Sequence, residues 1–361
     1  MVVNPDDRRR FFKELLAEAA ENAKQAHVTL GPLSPLNKLE RLASIGLPPD
    51  EPVEDRPAWM DRATIRARPA QRTCSLDDLV RLAETEGLHE RTDAIRALAR
   101  HSVRLTHRAV GAFAPAGHSR LGGEPDLPEG MRWPTWQGLQ LEFLGQIDLA
   151  DVSFPGSAEQ LPREGLLLFF FDADGSATGR RPDDVGAARA ILVETPPPRE
   201  DDSLAEDLGS PIDLTVELVL PRVKSAAVAA LDLAAEERQA WRALRLSLAR
   251  AQGVGPDGDG TALPAVHRFL GYADETTGDM PRTAELVSRG FDLSGDAEPE
   301  DEPSAEDRAA ADPSRWRLLL QLSVDDELDP CWADFQDRLY VWIDEGTLRD
   351  GTLAPVLAFP R

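Results

Sequence analysis

Leu141-Glu-Phe-Leu-Gly-Gln-Ile-Asp-Leu-Ala-Asp-Val152 and Trp316-Arg-Leu-Leu-Leu-Gln-Leu-Ser-Val-Asp-Asp-Glu-Leu328 carry one pattern twice. Gln146 and Gln321 hold the same place in it, each inside an apolar run and followed by Ile147-Asp148 or Leu322-Ser323. Outward from these stretches the likeness continues. His118-Ser-Arg-Leu-Gly-Gly precedes the first, and GLLLFFFD (Gly165–Asp172) and RAILVE (Arg189–Glu194) follow it. His267-Arg-Phe-Leu-Gly-Tyr precedes the second, and DRLYVWID (Asp337–Asp344) and LAPVLAF (Leu353–Phe359) follow it. The offset between copies changes only from 175 residues at the glutamines to 172 at Asp172 and Asp344. A repeated framework predicts two similar half-domains about a pseudo-twofold axis, with His118 and His267 opening the copies at matching places.

The repeated blocks read as strands. Leu139, Leu141, Phe143, Ile147 and Leu149 take alternate positions against Gln140, Glu142, Gln146 and Asp148, the signature of a strand with one buried face. Trp316, Leu318, Leu320, Leu322 and Val324 repeat it. Leu166–Phe171 is short and continuously apolar, as a strand covered on both faces should be. Ile212–Leu220 alternates as well.

The expected fold class is α+β: a helical N-terminal region followed by a tandem-duplicated, mainly antiparallel β-rich core with a pseudo-twofold relation. The boundaries are 1–102 for the helical region, 103–222 for the first half, 223–260 for a connecting helix and flexible joint, and 261–361 for the second half with an acidic insert at 292–313. Within 1–102, Phe12, Leu15, Leu16, Ala19 and Ala23 place an amphipathic helix over 5–26. Prolines then leave room only for a short helix near 35–45. Ser75 followed by Asp78 is a capping-box start for another helix, and a further helical run covers roughly Glu90–Arg100. The connecting helix is predicted over Ala226–Ala251, with Trp241, Leu244 and Leu248 on one face.

The chain carries 42% hydrophobic and 29% charged residues, those of an ordinary globular protein. Cys74 and Cys331 belong to no metal or disulfide spacing and suit a reducing compartment. No secretory leader or apolar run of membrane-spanning length is visible, so a cytoplasmic location is expected. The net charge of −24 disfavours nucleic acid and anionic membranes as partners. Residues 292–313 hold nine acids against Arg308 alone. Their Ala, Pro, Glu and Asp content predicts a disordered solvating segment, or a surface that attracts a basic protein partner.

Signatures of nucleotide binding, serine hydrolysis and zinc proteolysis are missing from the sequence. Asp172-Ala-Asp-Gly resembles the opening of a calcium loop, but Ala177 stands where that loop needs glycine, and a turn explains it more simply. The reading therefore includes no metal and no cofactor. Trp133, Pro134 and Trp136 form a loop that either stacks on a sugar or peptide or staples itself to the core. Gln146 and Gln321 must find partners if both sheet faces are covered.

Ser119-Arg-Leu-Gly-Gly-Glu-Pro-Asp-Leu-Pro, Trp133-Pro134, Leu141-Glu-Phe-Leu-Gly-Gln-Ile-Asp-Leu, Leu161-Pro-Arg-Glu-Gly-Leu-Leu-Leu-Phe-Phe, His267-Arg-Phe-Leu-Gly-Tyr-Ala-Asp, Gly278-Asp-Met, Trp316-Arg-Leu-Leu-Leu-Gln-Leu and Leu339-Tyr-Val-Trp-Ile, in that order, resemble the YwqG-like family of uncharacterised bacterial proteins, a domain of unknown function. The resemblance covers roughly 103–361 and implies an α+β fold with a duplicated β-rich core. It carries no activity and no site residues.

Two readings of function result. The first is a non-catalytic protein-binding module, regulatory or immunity-like, with a basic partner. The alternative is an enzyme or small-ligand binder in the cleft between the halves. Its candidate ligand-binding residues are His118, Arg120, His267, Arg268 and Asp274, with arginines to hold an anion and a histidine to move protons.

Overall fold

A computed structural model describes residues 73–107, 116–152, 161–172, 176–194, 209–255, 266–274, 279–295, 301–323, 338–350 and 353–360. The helices expected over 5–26 and 35–45 lie outside these residues.

Ten strands form one antiparallel sheet. In chain order the strands are β1 (Arg100–His107), β2 (Arg120–Leu121), a separate hairpin of β3 (Thr135–Trp136) and β4 (Leu139–Gln140), then β5 (Glu142–Asp148), β6 (Leu166–Phe171), β7 (Ala188–Val193), β8 (Ser210–Val219), β9 (His267–Phe269), β10 (Trp316–Ser323), β11 (Arg338–Asp344) and β12 (Val356–Pro360). The sheet order is β12-β11-β10-β9-β1-β8-β2-β5-β6-β7. Reading inward from either edge, β7 answers β12, β6 answers β11, β5 answers β10 and β2 answers β9, with β1 and β8 paired at the centre. The two central strands are exchanged: β1 precedes β2 in the chain but bonds β9, and β8 precedes β9 but bonds β2.

The edge strands β7 and β12 come against each other, so the sheet curls into a nearly closed barrel. Gly179, at φ +72°, lies directly on the Ala358 carbonyl of β12 at this closure, where no side chain fits. The barrel interior is apolar and draws on both halves: Val103, Leu105, Leu167, Phe169, Ile212, Phe269, Leu320, Val341 and Ala358 pack together there.

Both faces of the outer strands are buried, which corrects the one-faced reading of β5 and β10. A register shift between Phe143 and Gly145 in β5, and another between Leu318 and Leu320 in β10, inserts one residue into the alternation. Before the bulge Phe143 faces outward against Phe170, and Leu318 faces outward into the outer cluster. After it Ile147 and Leu322 face the interior. The bulges occupy the same place in the two copies.

Helices cover the outside. α1 (Leu76–Thr85) opens at Ser75 with the capping box its sequence announces, and α2 (Thr92–Leu98) follows. The connecting segment is two helices rather than one, α3 (Ala226–Ala229) and α4 (Ala235–Ala251). The break holds Asp232 at φ +48°, and the Glu237 carboxylate accepts the Ala234 amide at 2.8 Å to restart the helix. Trp241, Leu244 and Leu248 of α4 pack with Leu79, Ile95, Leu218 and Leu220. Where β8 outruns the short β2, the Gln252 amide bonds both the N–H (2.7 Å) and the carbonyl (2.9 Å) of Leu218. A side chain there does the work of a missing strand.

On the second half, α5 (Met280–Ser288) lays Met280, Ala284 and Val287 on Trp316, Leu318 and Trp342. The insert contradicts its compositional expectation of disorder in the parts described, 292–295 and 301–313. α6 (Ala305–Ala310) starts on a Ser304–Asp307 capping box. Arg282 donates to the carbonyls of Arg308 (2.7 Å) and Ala311 (3.0 Å), and Arg289 to that of Ala310 (3.2 Å). These guanidinium groups close the helix C-terminus, so order comes from tertiary capping that composition does not reveal. α7 (Glu345–Arg349) connects β11 towards β12. Among the described residues no helix is long and apolar enough to cross a membrane.

Candidate functional site

Two Arg–Asp–Gln brackets repeat each other in detail on the outward face of the sheet. In the first, Arg120 of β2 reaches both carboxylate oxygens of Asp126, at 3.1 and 2.8 Å, and donates to the Glu124 carbonyl. Gln146 of β5 accepts the Asp126 amide at 3.2 Å and donates to the His118 carbonyl (2.9 Å) and to Asp126 Oδ2 (2.6 Å). In the second, Arg268 of β9 donates to Asp274 Oδ1 (3.1 Å) and to the Tyr272 carbonyl (3.0 Å). Gln321 of β10 accepts the Asp274 amide at 2.8 Å and donates to the Val266 carbonyl (2.8 Å) and to Asp274 Oδ2 (3.3 Å).

Local backbone sets up each bracket. After β2 the chain enters Gly122 and Gly123 at φ +67° and +74°, and after β9 it enters Leu270 and Gly271 at φ +60° and +83°. Two successive left-handed residues reverse the chain and bring the aspartate back beneath its own arginine. Gly271 has no room for a side chain, since a Cβ there would lie 2.6 Å from that of Ser102. Gly271→Ala is expected to lose about 1–3 kcal/mol of stability, read from the urea midpoint.

This geometry fixes the register between the copies. Ser119, not His118, is the counterpart of His267: the Asp148 amide donates to Ser119 Oγ at 2.9 Å, and the Ser323 amide to His267 Nδ1 at 3.2 Å. His118 answers Val266, each giving its carbonyl to the bracket glutamine. The five candidates are therefore divided between places. Arg268 and Asp274 are joined. His267 projects to the opposite face, beside Leu105 in register and with its ring 5.2 Å from that of His107. His118 and Arg120 sit beyond β1 and β8, three strand spacings or about 14 Å across the sheet from β9. Asp126, Gln146, Gln321, Glu217 and Arg245 are the partners that the sequence candidates omitted.

Burial makes these bonds obligatory. Gln146 and Gln321 are both 0% exposed. Gln146→Leu or Gln321→Leu strands a backbone N–H and a carbonyl, and each stranded group is expected to cost about 1–3 kcal/mol in equilibrium unfolding. Burial opposes ionisation of Asp126, but the Arg120 bond and charge, the Gly117 amide and the Gln146 amide outweigh it and hold the carboxyl below the usual range. For Asp274 burial again acts upward, and the charges of Arg268 and Arg245 with the Gln321 bond prevail downward.

The second bracket is larger. Arg268 Nη2 also meets Glu217 of β8 at 3.1 Å, Arg104 of β1 lies 3.6 Å from the same carboxylate, and Arg245 of α4 lies 3.9 Å from Asp274. A cavity of about 30 Å³ remains between α4 and this cluster. A wider opening of about 280 Å³ lies between Arg180, Thr283, Asp292 and Arg308, beside the insert.

The remaining sequence candidates hold the structure together. Asp172 accepts from Ser176 Oγ (2.8 Å) and the Ala177 amide (3.0 Å), closing a turn. Trp133 bonds the Leu141 carbonyl at 2.7 Å and stands edge-on to Phe170, a staple, while Met131 and Leu139 of the same loop are exposed.

Fold and brackets together define a class: a nearly closed antiparallel sheet with helices packed on its outside. Residues 119–357 match the family described as Domain of unknown function (DUF1963), and the chain belongs to it. No curated protein matches the chain.

Proposed function

We propose that this protein is a non-catalytic, protein-binding module, regulatory or immunity-like, whose partner is basic. The observation that carries this reading is the described part of the acidic insert at 301–313, which holds a capped helix over Ala305–Ala310. Asp301, Glu302 and Glu306 stand exposed on it, while Arg282 and Arg289 hold it from below. A fixed row of carboxylates on a chain of net charge −24 steers a basic surface to one place. The Arg120 bracket supports the same reading, because Arg120, Asp126 and Gln146 bond one another and the protein's own backbone. The bonds the two brackets share, with the matched bulges and the symmetric strand order, support a tandem duplication of the YwqG-like kind.

Tagged full-length protein is to be used as bait in its native extract at low and high salt, beside the charge reversal Asp301→Lys/Glu302→Lys/Glu306→Lys. A stoichiometric basic partner at low salt, released by salt and lost from the variant, is the expected result. An empty bait at low salt, or a partner held equally by the variant, overturns the reading.

A further inference from the structure

Five guanidinium groups converge on the second bracket. Arg268 contacts Asp274 and Glu217, Arg104 faces Glu217, and Arg245 faces Asp274. Arg222 and Arg338 both donate to the Asp274 carbonyl, at 3.4 and 3.0 Å. Among the described residues two carboxylates, Glu217 and Asp274, answer them, so guanidinium groups outnumber carboxylates there. The first bracket has no such excess, with Arg120 and Asp126 matched one to one.

A buried guanidinium N–H left without an acceptor is costly, and an anion of the right size removes that cost. The space for one is present. The cavity of about 30 Å³ is lined by Arg245, Arg268, Gln252 and the two carboxylates Glu217 and Asp274, with Leu218, Leu220 and Leu248 as apolar walls. That volume holds two or three water-sized centres at roughly 10–15 Å³ each, the size of a small planar anion. Arg268 is 7% exposed, and its Nε has no hydrogen-bond partner. Burial, together with the charges of Arg222 and Arg268, outweighs Asp274 and lowers the Arg245 guanidinium to about 10.

We propose that the cavity between α4 and the β8–β9 end of the sheet is a binding site for one small monovalent oxyanion, of carboxylate or nitrate size, held by Arg245 and Arg268. The anion adds one negative charge to those of Glu217 and Asp274. The planar guanidinium of Arg245 supplies the paired donors such an anion requires.

Thermal unfolding of the full-length protein at fixed ionic strength tests this, with bulky gluconate replaced stepwise by formate or by nitrate. The expected result is a saturable rise in melting temperature with either probe, and at least a tenfold weaker midpoint in Arg245→Gln. Formate acting alone assigns the site to carboxylates, and both probes acting assigns it to small oxyanions in general; each outcome supports the site. No saturable rise in the wild-type protein overturns it, as does an unchanged midpoint in a folded Arg245→Gln variant. Crystals soaked in formate and, separately, in nitrate give a reading independent of the variant. Planar difference density between Arg245 and Arg268 is expected, and its absence there in both soaks overturns the proposal.

Discussion

Asp274→Ala is expected to lose about 3–5 kcal/mol of unfolding free energy, because it removes one partner of a buried ion cluster and leaves the other charges in place. Arg268, 7% exposed, would retain only Glu217 as a counter-charge, and Arg245 would face it across the vacated space. Asp274→Asn keeps the shape and the amide contact with Gln321, so its loss isolates the charge and should be the smaller. Asp126→Ala is expected to lose less than Asp274→Ala, because one guanidinium is stranded instead of a cluster. The pH dependence has a definite sign. Both carboxyls ionise below their ordinary value of 3.8 in the folded state. Their contribution is therefore complete above that value and is lost as the pH falls through the depressed folded ones. Urea midpoints should be flat from neutral pH down to about 5 and then fall, and the fall should be shallower in Asp126→Asn.

Trp241→Ala is expected to cost a similar amount, about 3–5 kcal/mol, for a different reason. The ring is 0% exposed at the centre of the helical layer, where it meets side chains from α1, α2 and the end of β8. Its Nε1 donates to the Pro221 carbonyl at 2.9 Å, so the substitution also strands an acceptor. Trp241→Phe retains most of the volume and should recover more than half of the loss. Equilibrium urea unfolding, followed by far-ultraviolet circular dichroism, measures both. A loss below 1 kcal/mol for Trp241→Ala would mean that the helical layer contributes little to the sheet beneath it.

Features carried by neighbouring residues were legible in the sequence, and those carried by distant ones were not. Ser75 and Asp78 announce a helix start because a capping box is local. β6 was legible because six apolar residues in succession admit few other homes. The bulges in β5 and β10 escaped notice, since one inserted residue preserves the look of alternation while reversing the faces. The brackets were half visible. Aligning the copies on His118 and His267 places Arg120 on Phe269. Moving by one residue places Arg120 on Arg268, Gly123 on Gly271 and Asp126 on Asp274, and the shared Arg-to-Asp spacing of six then stands out. Glu217 and Arg245 could not be found this way. They arrive from β8 and α4, 51 residues from Arg268 in the first case, and only the sheet order brings them in.

The exchange of β1 and β8 sets the order of synthesis against the order of assembly. β1 emerges early, yet its neighbour β9 follows more than 150 residues later, with Val103 opposite Phe269. At roughly 5–20 residues per second a ribosome needs about ten seconds or more to deliver that partner. Throughout that interval the nascent first half carries an open sheet edge along β1, the kind of edge on which chains adhere to one another. Neither half completes its own sheet in isolation. A chain truncated before His267 should accumulate as an aggregating or chaperone-bound product, and translation speed through 220–266 becomes a determinant of yield.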